Sequence, residues 1–196
     1  RSYRTDRYLG ILERARKALP GVQITTDIIV GFPGETEADH QATLDICTEA
    51  QFAAAYTFQY SKRPNTPAAE MPDQVPADVV KRRYNELHEH QNAISLVVNQ
   101  RSIGNKYVAL VSEQFGDRDS TFNRLSGRIE DSRLVHFAAP KEARPGDFVE
   151  VAIDAVEPHY LIGSGEKVIP TRGGDVFNQK ASTMLGIPKL FNSIKK

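Results

Sequence analysis

Apolar and polar positions change rhythm along this chain, and each change predicts an element. Tyr8, Leu12, Ala15 and Leu19 share one face at helical spacing, which predicts a first helix with Asp6 as candidate cap and Pro20-Gly21 as its stop. Residues 24–30, Ile-Thr-Thr-Asp-Ile-Ile-Val, form a near-continuous apolar run with β-branched side chains. That is the pattern of a strand buried on both faces, as in a parallel sheet. The run stops at Gly31-Phe32-Pro33-Gly34-Glu35. Two glycines there can take positive φ or admit a close neighbour, and Pro33 fixes φ and donates no N–H. Thr36-Glu37-Ala38-Asp39 reads as a capping-box-like helix start, with Asp where Glu or Gln is usual, and the helix runs through Leu44 and Cys47 toward Ala50. Phe52, Ala54, Tyr56, Phe58 and Tyr60 then alternate as a second strand, ending in the polar, proline-bearing loop 61–67.

Helix, strand, helix, strand predicts part of a parallel sheet or barrel. Ligands of α/β folds bind at the carboxyl ends of the strands, and a right-handed crossover would put residues 31–35 and 61–63 on one rim there. Residues 71–76 read as a linker, with Pro76 suited to a helix first turn. A long helix follows over about 77–101, with Val80, Tyr84, Leu87, Ile94 and Val98 on one face and Gly104 as its stop. From Asn105 the pattern shortens. Strand candidates at 107–111, 125–129, 134–137, 148–156 and 159–162, punctuated by Gly, Asp and Pro, predict a small antiparallel barrel. The domain boundary falls near 99–104. After Gly165 no periodicity persists, and a flexible tail is expected.

Composition narrows the chemistry. The 196 residues suffice for one large or two small domains, and 25 Lys+Arg balance 25 Asp+Glu. No apolar run approaches the ~20 residues of a membrane span, and no signal-peptide pattern opens the chain. Arg1-Ser2-Tyr3, without a methionine, reads as the opening of a piece of a longer protein. One cysteine rules out an intramolecular disulfide, fits a reducing compartment, and cannot by itself build a cysteine-rich metal or iron–sulfur site. His88 and His90, two apart on a helix, do not face each other and read as surface residues. Between residues 99 and 165, 8 basic residues stand against 10 acidic ones, so charge alone argues against a nucleic-acid surface.

Two stretches in order are more specific: Asp-Ile-Ile-Val-Gly-Phe-Pro-Gly-Glu-Thr at 27–36, and Phe-Gln-Tyr-Ser-Lys-Arg-Pro-Asn-Thr-Pro-Ala-Ala at 58–69. Together they closely resemble the radical S-adenosylmethionine methylthiotransferases. Arg1-Ser2-Tyr3-Arg4-Thr5 fits that family's Arg-x-Tyr segment, and the barrel candidate resembles its TRAM domain, an RNA-binding module. The resemblance implies an α/β plus all-β chain. Residues 1–100 would be the C-terminal part of a radical SAM partial (βα) barrel, 101–166 a small antiparallel, OB-like TRAM barrel, and 167–196 a tail.

It also implies S-adenosylmethionine and two 4Fe–4S clusters in the whole enzyme, with the cluster ligands outside this chain. Asp27, Gly31, Phe32, Pro33, Gly34, Glu35, Ser61 and Arg63 would lie at the cofactor, and Lys106, Arg124 and Arg128 at RNA. The partners implied are the tRNA anticodon arm and the N-terminal remainder of the same polypeptide, in a cytoplasmic monomer. Lys62-Arg63 points to the tRNA-modifying branches rather than to the branch acting on a ribosomal protein. Phe58-Gln59-Tyr60-Ser61 and Asp73-Gln74-Val75-Pro76 look most like the branch acting on isopentenyladenosine next to the anticodon, with threonylcarbamoyladenosine as the alternative substrate. Asn65 replaces the family's usual Gly, tolerable because Asn adopts left-handed φ, and His40 stands where Phe is common. The three-cysteine cluster motif is absent, and Cys47 in mid-helix is no substitute.

Two other classes compete. One is an RNA-binding module on an α/β scaffold without catalysis. The other is a phosphate-binding α/β enzyme at residues 31–35, against which stand the missing Walker-type Lys and the negative Glu35.

Overall fold

β1 (Thr25–Val30) and β2 (Ala54–Gln59) pair in parallel, with Thr25 opposite Ala54 and Val30 opposite Gln59. The computed structural model describes residues 4–112, 124–138 and 140–171, and it divides into two units, Arg1–Arg101 and Ser102–Lys196. In the first, α1 (Thr5–Ala18), α2 (Glu37–Ala50), a single-turn α3 (Pro67–Glu70) and α4 (Ala77–Gln100) accompany the two strands.

Helix ends follow local chemistry. Thr36 Oγ1 accepts the Asp39 N–H at 3.2 Å and the Asp39 carboxylate accepts the Thr36 N–H at 2.9 Å, so Asp completes the capping box. α1 is not capped by Asp6. Its N-cap is Arg4, without a side-chain hydrogen bond, and Asp6 sits within the first turn, where its charge complements the helix dipole. The Arg16 guanidinium donates to the Ala50 and Gln51 carbonyls at the end of α2. α3 starts at Pro67, the last residue of the expected loop 61–67, and fills the gap before the linker at 71–76.

Leu12, Val30, Cys47, Ala50, Phe52, Val80, Leu87, Ile94 and Val98 form the core of this unit. The expectation that β1 is buried on both faces is corrected. Its burial alternates: Thr26, Ile28 and Val30 turn inward while Thr25, Asp27 and Ile29 are exposed. Ile29, Tyr56 and Phe58 are each more than half exposed. The reason is that the described helices cover only one face of this two-stranded sheet.

The second unit is a closed barrel in the order β3-β4-β5-β7-β6, built from β3 (Lys106–Val111), β4 (Leu125–Arg128), β5 (Leu134–Ala138), β6 (Phe148–Val156) and β7 (Leu161–Ile169). Four seams are antiparallel and one is parallel, β5 to β7, with Val135 opposite Leu161. An odd number of strands cannot alternate direction all the way round, so one parallel seam is unavoidable. Inward positions alternate along each strand, and Ala109, Val111, Val135, Phe137, Val149, Val151, Ile153 and Leu161 fill the interior.

β7 runs seven residues past its expected end at 162. Gly163, which resembles punctuation, lies within it. A Cβ there would stand 2.2 Å from the Ala152 carbonyl oxygen, so glycine permits close strand approach rather than a turn. Beyond β7, the Thr171 N–H donates to buried Asp147 at 2.9 Å. Asp147 also accepts from Arg144 Nε at 2.8 Å and Nη2 at 3.1 Å. Most of the predicted tail, residues 172–196, lies outside the described residues. No described helix is long and apolar enough to cross a membrane.

Candidate cofactor rim and RNA face

The turn after β1 and the loop after β2 meet at the same end of the sheet. The Tyr60 N–H donates to the Val30 carbonyl at 2.8 Å, and the Phe32 ring packs against Tyr60 at 5.4 Å with planes 69° apart. Three N–H groups of the turn are spent within the protein. Gly31 N donates to Glu35 Oε2 at 2.8 Å, Gly34 N to the Asp73 carbonyl at 2.8 Å and Glu35 N to the Phe32 carbonyl at 2.9 Å. With Pro33 lacking an N–H, the turn offers none of these donors to an anion. This counts against the phosphate-binding reading.

The two glycines do different jobs. Gly31 has φ 78° and is buried, and a Cβ on it would lie 2.4 Å from Val80 Cγ2 of α4. Glycine there lets the helix in. Gly34 has φ 83° and nothing within 4 Å of its would-be Cβ, so its outer side is open. Pro33 is buried and Phe32 exposed. Ser61, Lys62 and Arg63 are exposed beyond β2, and Asn65 takes φ 61°, the left-handed conformation expected of it. Asp27 lies on the exposed sheet face opposite Tyr56, one pair along from Ile29–Phe58.

Glu35 is turned inward, toward Arg83 of α4. Arg83 Nη1 donates to Glu35 Oε1 at 2.8 Å and to the Glu35 carbonyl at 3.0 Å, and its Nε and Nη2 reach Glu37 Oε2 at 3.2 and 3.0 Å. Arg82 Nη2 also reaches Glu37, at 2.8 Å. Hydrogen bonds from Arg82, then Arg83, pull the Glu37 carboxyl down to about 2. Sequence reasoning missed Arg83, although the signal was present. It sits three residues after Val80 and four before Leu87, a charge inside an apolar helical stripe. It also missed Tyr60, whose buried hydroxyl has no hydrogen-bond partner among the described residues.

In the barrel, the three expected RNA-contacting cations are spread out. Arg128 pairs in register with Leu110, while Lys106 lies four residues away along β3 and Arg124 four residues away along the chain entering β4. Lys106 is engaged by Glu166, and Arg128 Nη1 donates to the Ser132 carbonyl at 2.8 Å. Arg128 instead belongs to an outward row. Register places it beside Leu110, then Phe148, then Ile169, and all four are exposed.

Over 97% of its length the chain is 50% identical to the tRNA-2-methylthio-N(6)-dimethylallyladenosine synthase of Streptomyces viridosporus. The protein of that name from Streptomyces coelicolor is 49% identical over the same share, and that from Mycobacterium avium 54% identical over 89% of the chain. The chain is a homologue of these synthases. It spans 40% of the length of the two Streptomyces proteins and 25% of the Mycobacterium one. No protein-family model matches it.

The rim fits a small polar ligand with an apolar part. Open Gly34 admits close approach, Phe32 offers an aromatic surface, and the orphaned Tyr60 hydroxyl is a polar group still to be satisfied. An iron–sulfur cluster is different. No group of three His, Cys, Asp or Glu among the described residues could hold a metal ion. Cys47 is buried, and burial pushes its thiol up to about 11, far from the thiolate a cluster needs.

Proposed function

We propose that this chain supplies one wall of an S-adenosylmethionine pocket and a tRNA-contacting barrel to a radical SAM tRNA methylthiotransferase. The enzyme would add a methylthio group at C2 of N6-isopentenyladenosine next to the anticodon. Residues 1–100 are the C-terminal part of its radical SAM partial barrel and 101–166 its TRAM domain. The anticodon arm is its substrate, and it works as a cytoplasmic monomer. The observation that carries this reading is the joint rim of Phe32, open Gly34 and Tyr60 at the carboxyl ends of β1 and β2, in a homologue of synthases named for this product.

Bound S-adenosylmethionine, with clusters held elsewhere in the polypeptide, supplies the radical, sulfur and methyl chemistry. The chain's own residues bind and orient. Phe32 and Gly34 receive the cofactor against the turn. Arg63 can grip a carboxylate in a bidentate fork, with the Ser61 hydroxyl beside it. Asp27 offers an acceptor on the open sheet face. Ile29, Tyr56 and Phe58 make that face apolar, so covering it excludes water.

The test is equilibrium dialysis of S-adenosylmethionine against the anaerobically purified full-length protein. Arg63→Ala should weaken cofactor binding by about tenfold, the loss of a charge-assisted contact, and Phe32→Ala should weaken it through lost apolar contact, both with tRNA affinity unchanged. Wild-type cofactor affinity in both variants would remove the rim from the pocket.

A further inference from the structure

We infer that Arg83 is a positioning residue that sets the shape of the 31–35 turn from the helix side, acting through Glu35; this rests on the reading of that turn as a cofactor wall. Arg83 is only 4% exposed. A guanidinium at that depth is costly unless its donors are matched. Four contacts match them here, two to Glu35 and two to Glu37.

The Glu35 carboxylate bridges two elements. Oε1 takes the guanidinium of α4 at 2.8 Å, and Oε2 takes the Gly31 N–H at 2.8 Å. The first and last residues of the turn are therefore fixed to one side chain, and that side chain to α4. Val80, three residues before Arg83, fills the space a Gly31 side chain would need, so the turn seats directly on the helix. Phe32 and Gly34, the two open positions, are held between these anchors. Both Glu35 oxygens are engaged in this arrangement and the side chain is only 14% exposed, which makes it the link to Arg83.

A lysine cannot replace this fork. One ammonium lacks the planar array in which Nη1 serves Glu35 while Nε and Nη2 reach Glu37. Arg82 does not substitute either, since its own contacts run to Glu37 and Glu86 on the exposed side.

The experiment compares full-length Arg83→Lys, Arg83→Gln and the double variant Arg83→Gln/Glu35→Gln with wild type and with Phe32→Ala. Equilibrium dialysis with S-adenosylmethionine, tRNA affinity, and the split between KM for the cofactor and kcat are read together. Arg83→Gln and the double variant should weaken cofactor binding roughly tenfold, the loss expected of charge-assisted hydrogen bonds. KM rises accordingly, while kcat at saturating cofactor and tRNA affinity stay near wild type. Arg83→Lys should fall between. The double variant guards against mere loss of folding, because it leaves no unpaired charge. If it binds cofactor as wild type does, Arg83 serves only to neutralise Glu35 and the inference is overturned. If neither glutamine variant folds, Arg83→Lys decides, and wild-type affinity in it overturns the inference. Weakened binding in Phe32→Ala with no change in any Arg83 variant sinks this inference and leaves the pocket standing. No change in Phe32→Ala or in the Arg83 variants removes the pocket itself.

Discussion

The barrel closes on itself, and the two-stranded sheet does not. Each barrel strand has two partners, and its inward side chains, such as Phe137, Val149 and Leu161, are fully buried. Among the described residues β1 and β2 have only each other, and Ile29, Tyr56 and Phe58 face outward. The same period-two alternation thus gives opposite outcomes. In the barrel apolar side chains fill the interior, and of the outward rows one, Val108, Glu150 and Lys167, is largely polar, while another, Leu110, Phe148 and Ile169, is apolar beside Arg128. On the sheet the outer face is apolar, and an exposed apolar face of this kind marks an interaction surface.

The largest effect that can break this comparison is a pair of truncations in the chain as it stands. Phe137→Ala empties a fully buried site and should cost about 3–5 kcal/mol. Ile29→Ala removes an exposed side chain and should stay within about 0.5 kcal/mol. Denaturant melts measure both. An Ile29→Ala penalty matching that of Phe137→Ala would mean that the sheet face is already covered.

Amide exchange sharpens the same contrast. Residues 25–30 should exchange faster than residues 149–153, because open edges and an uncovered face leave their hydrogen bonds near water. Strong protection of 25–30 in a dilute, verified monomer would show the two-stranded sheet to be self-sufficient.

What the sequence revealed followed from local signals. The capping box at Thr36, the stripe on α4 and the alternation of β6 are each written in neighbouring residues, and each element stands where it was read. The turn 31–35 was legible as a turn, but not which glycine was open. Gly31 and Gly34 look alike until Val80, far along the chain, occupies the space beside one of them. The parallel seam follows from strand parity, which needs the closed topology. β7 was cut short because Gly163 reads as a break, whereas the structure uses it for close approach to Ala152. The burial of β1 was misjudged because an apolar run reports what a strand can bury, not what covers it.

Acid separates the two units more gently. The Arg144 hydrogen bond, foremost, holds buried Asp147 below its usual 3.8, and Arg82 and Arg83 hold Glu37 at about 2. Both carboxylates are depressed in the folded state, so their stabilisation is complete above their unfolded values and is lost as pH falls through the folded ones. The barrel should lose more than the first unit, because Asp147 is buried while the Glu37 pair is exposed and screened. Asp147→Asn should flatten the barrel's stability profile below about pH 4 while lowering it at neutral pH. An unchanged acid profile in that variant would acquit Asp147.

On the proposed function, the smallest effect concerns which cation of the barrel would meet RNA. Lys106 is neutralised by Glu166, whereas Arg128 is exposed beside Leu110, with Phe148 one strand further along the same row, and donates to the Ser132 carbonyl. A cation and an aromatic on one exposed row can grip a phosphate while a base stacks. In the full-length protein Arg128→Ala should therefore reduce the slope of log affinity against log salt by about one, as loss of a single phosphate contact requires. Lys106→Ala should leave the slope alone. Phe148→Ala should lower tRNA affinity by about 1 kcal/mol without changing the slope, since stacking releases no counterions. The opposite pattern, a slope that falls in Lys106→Ala and holds in Arg128→Ala, would move the RNA face to the far end of β3.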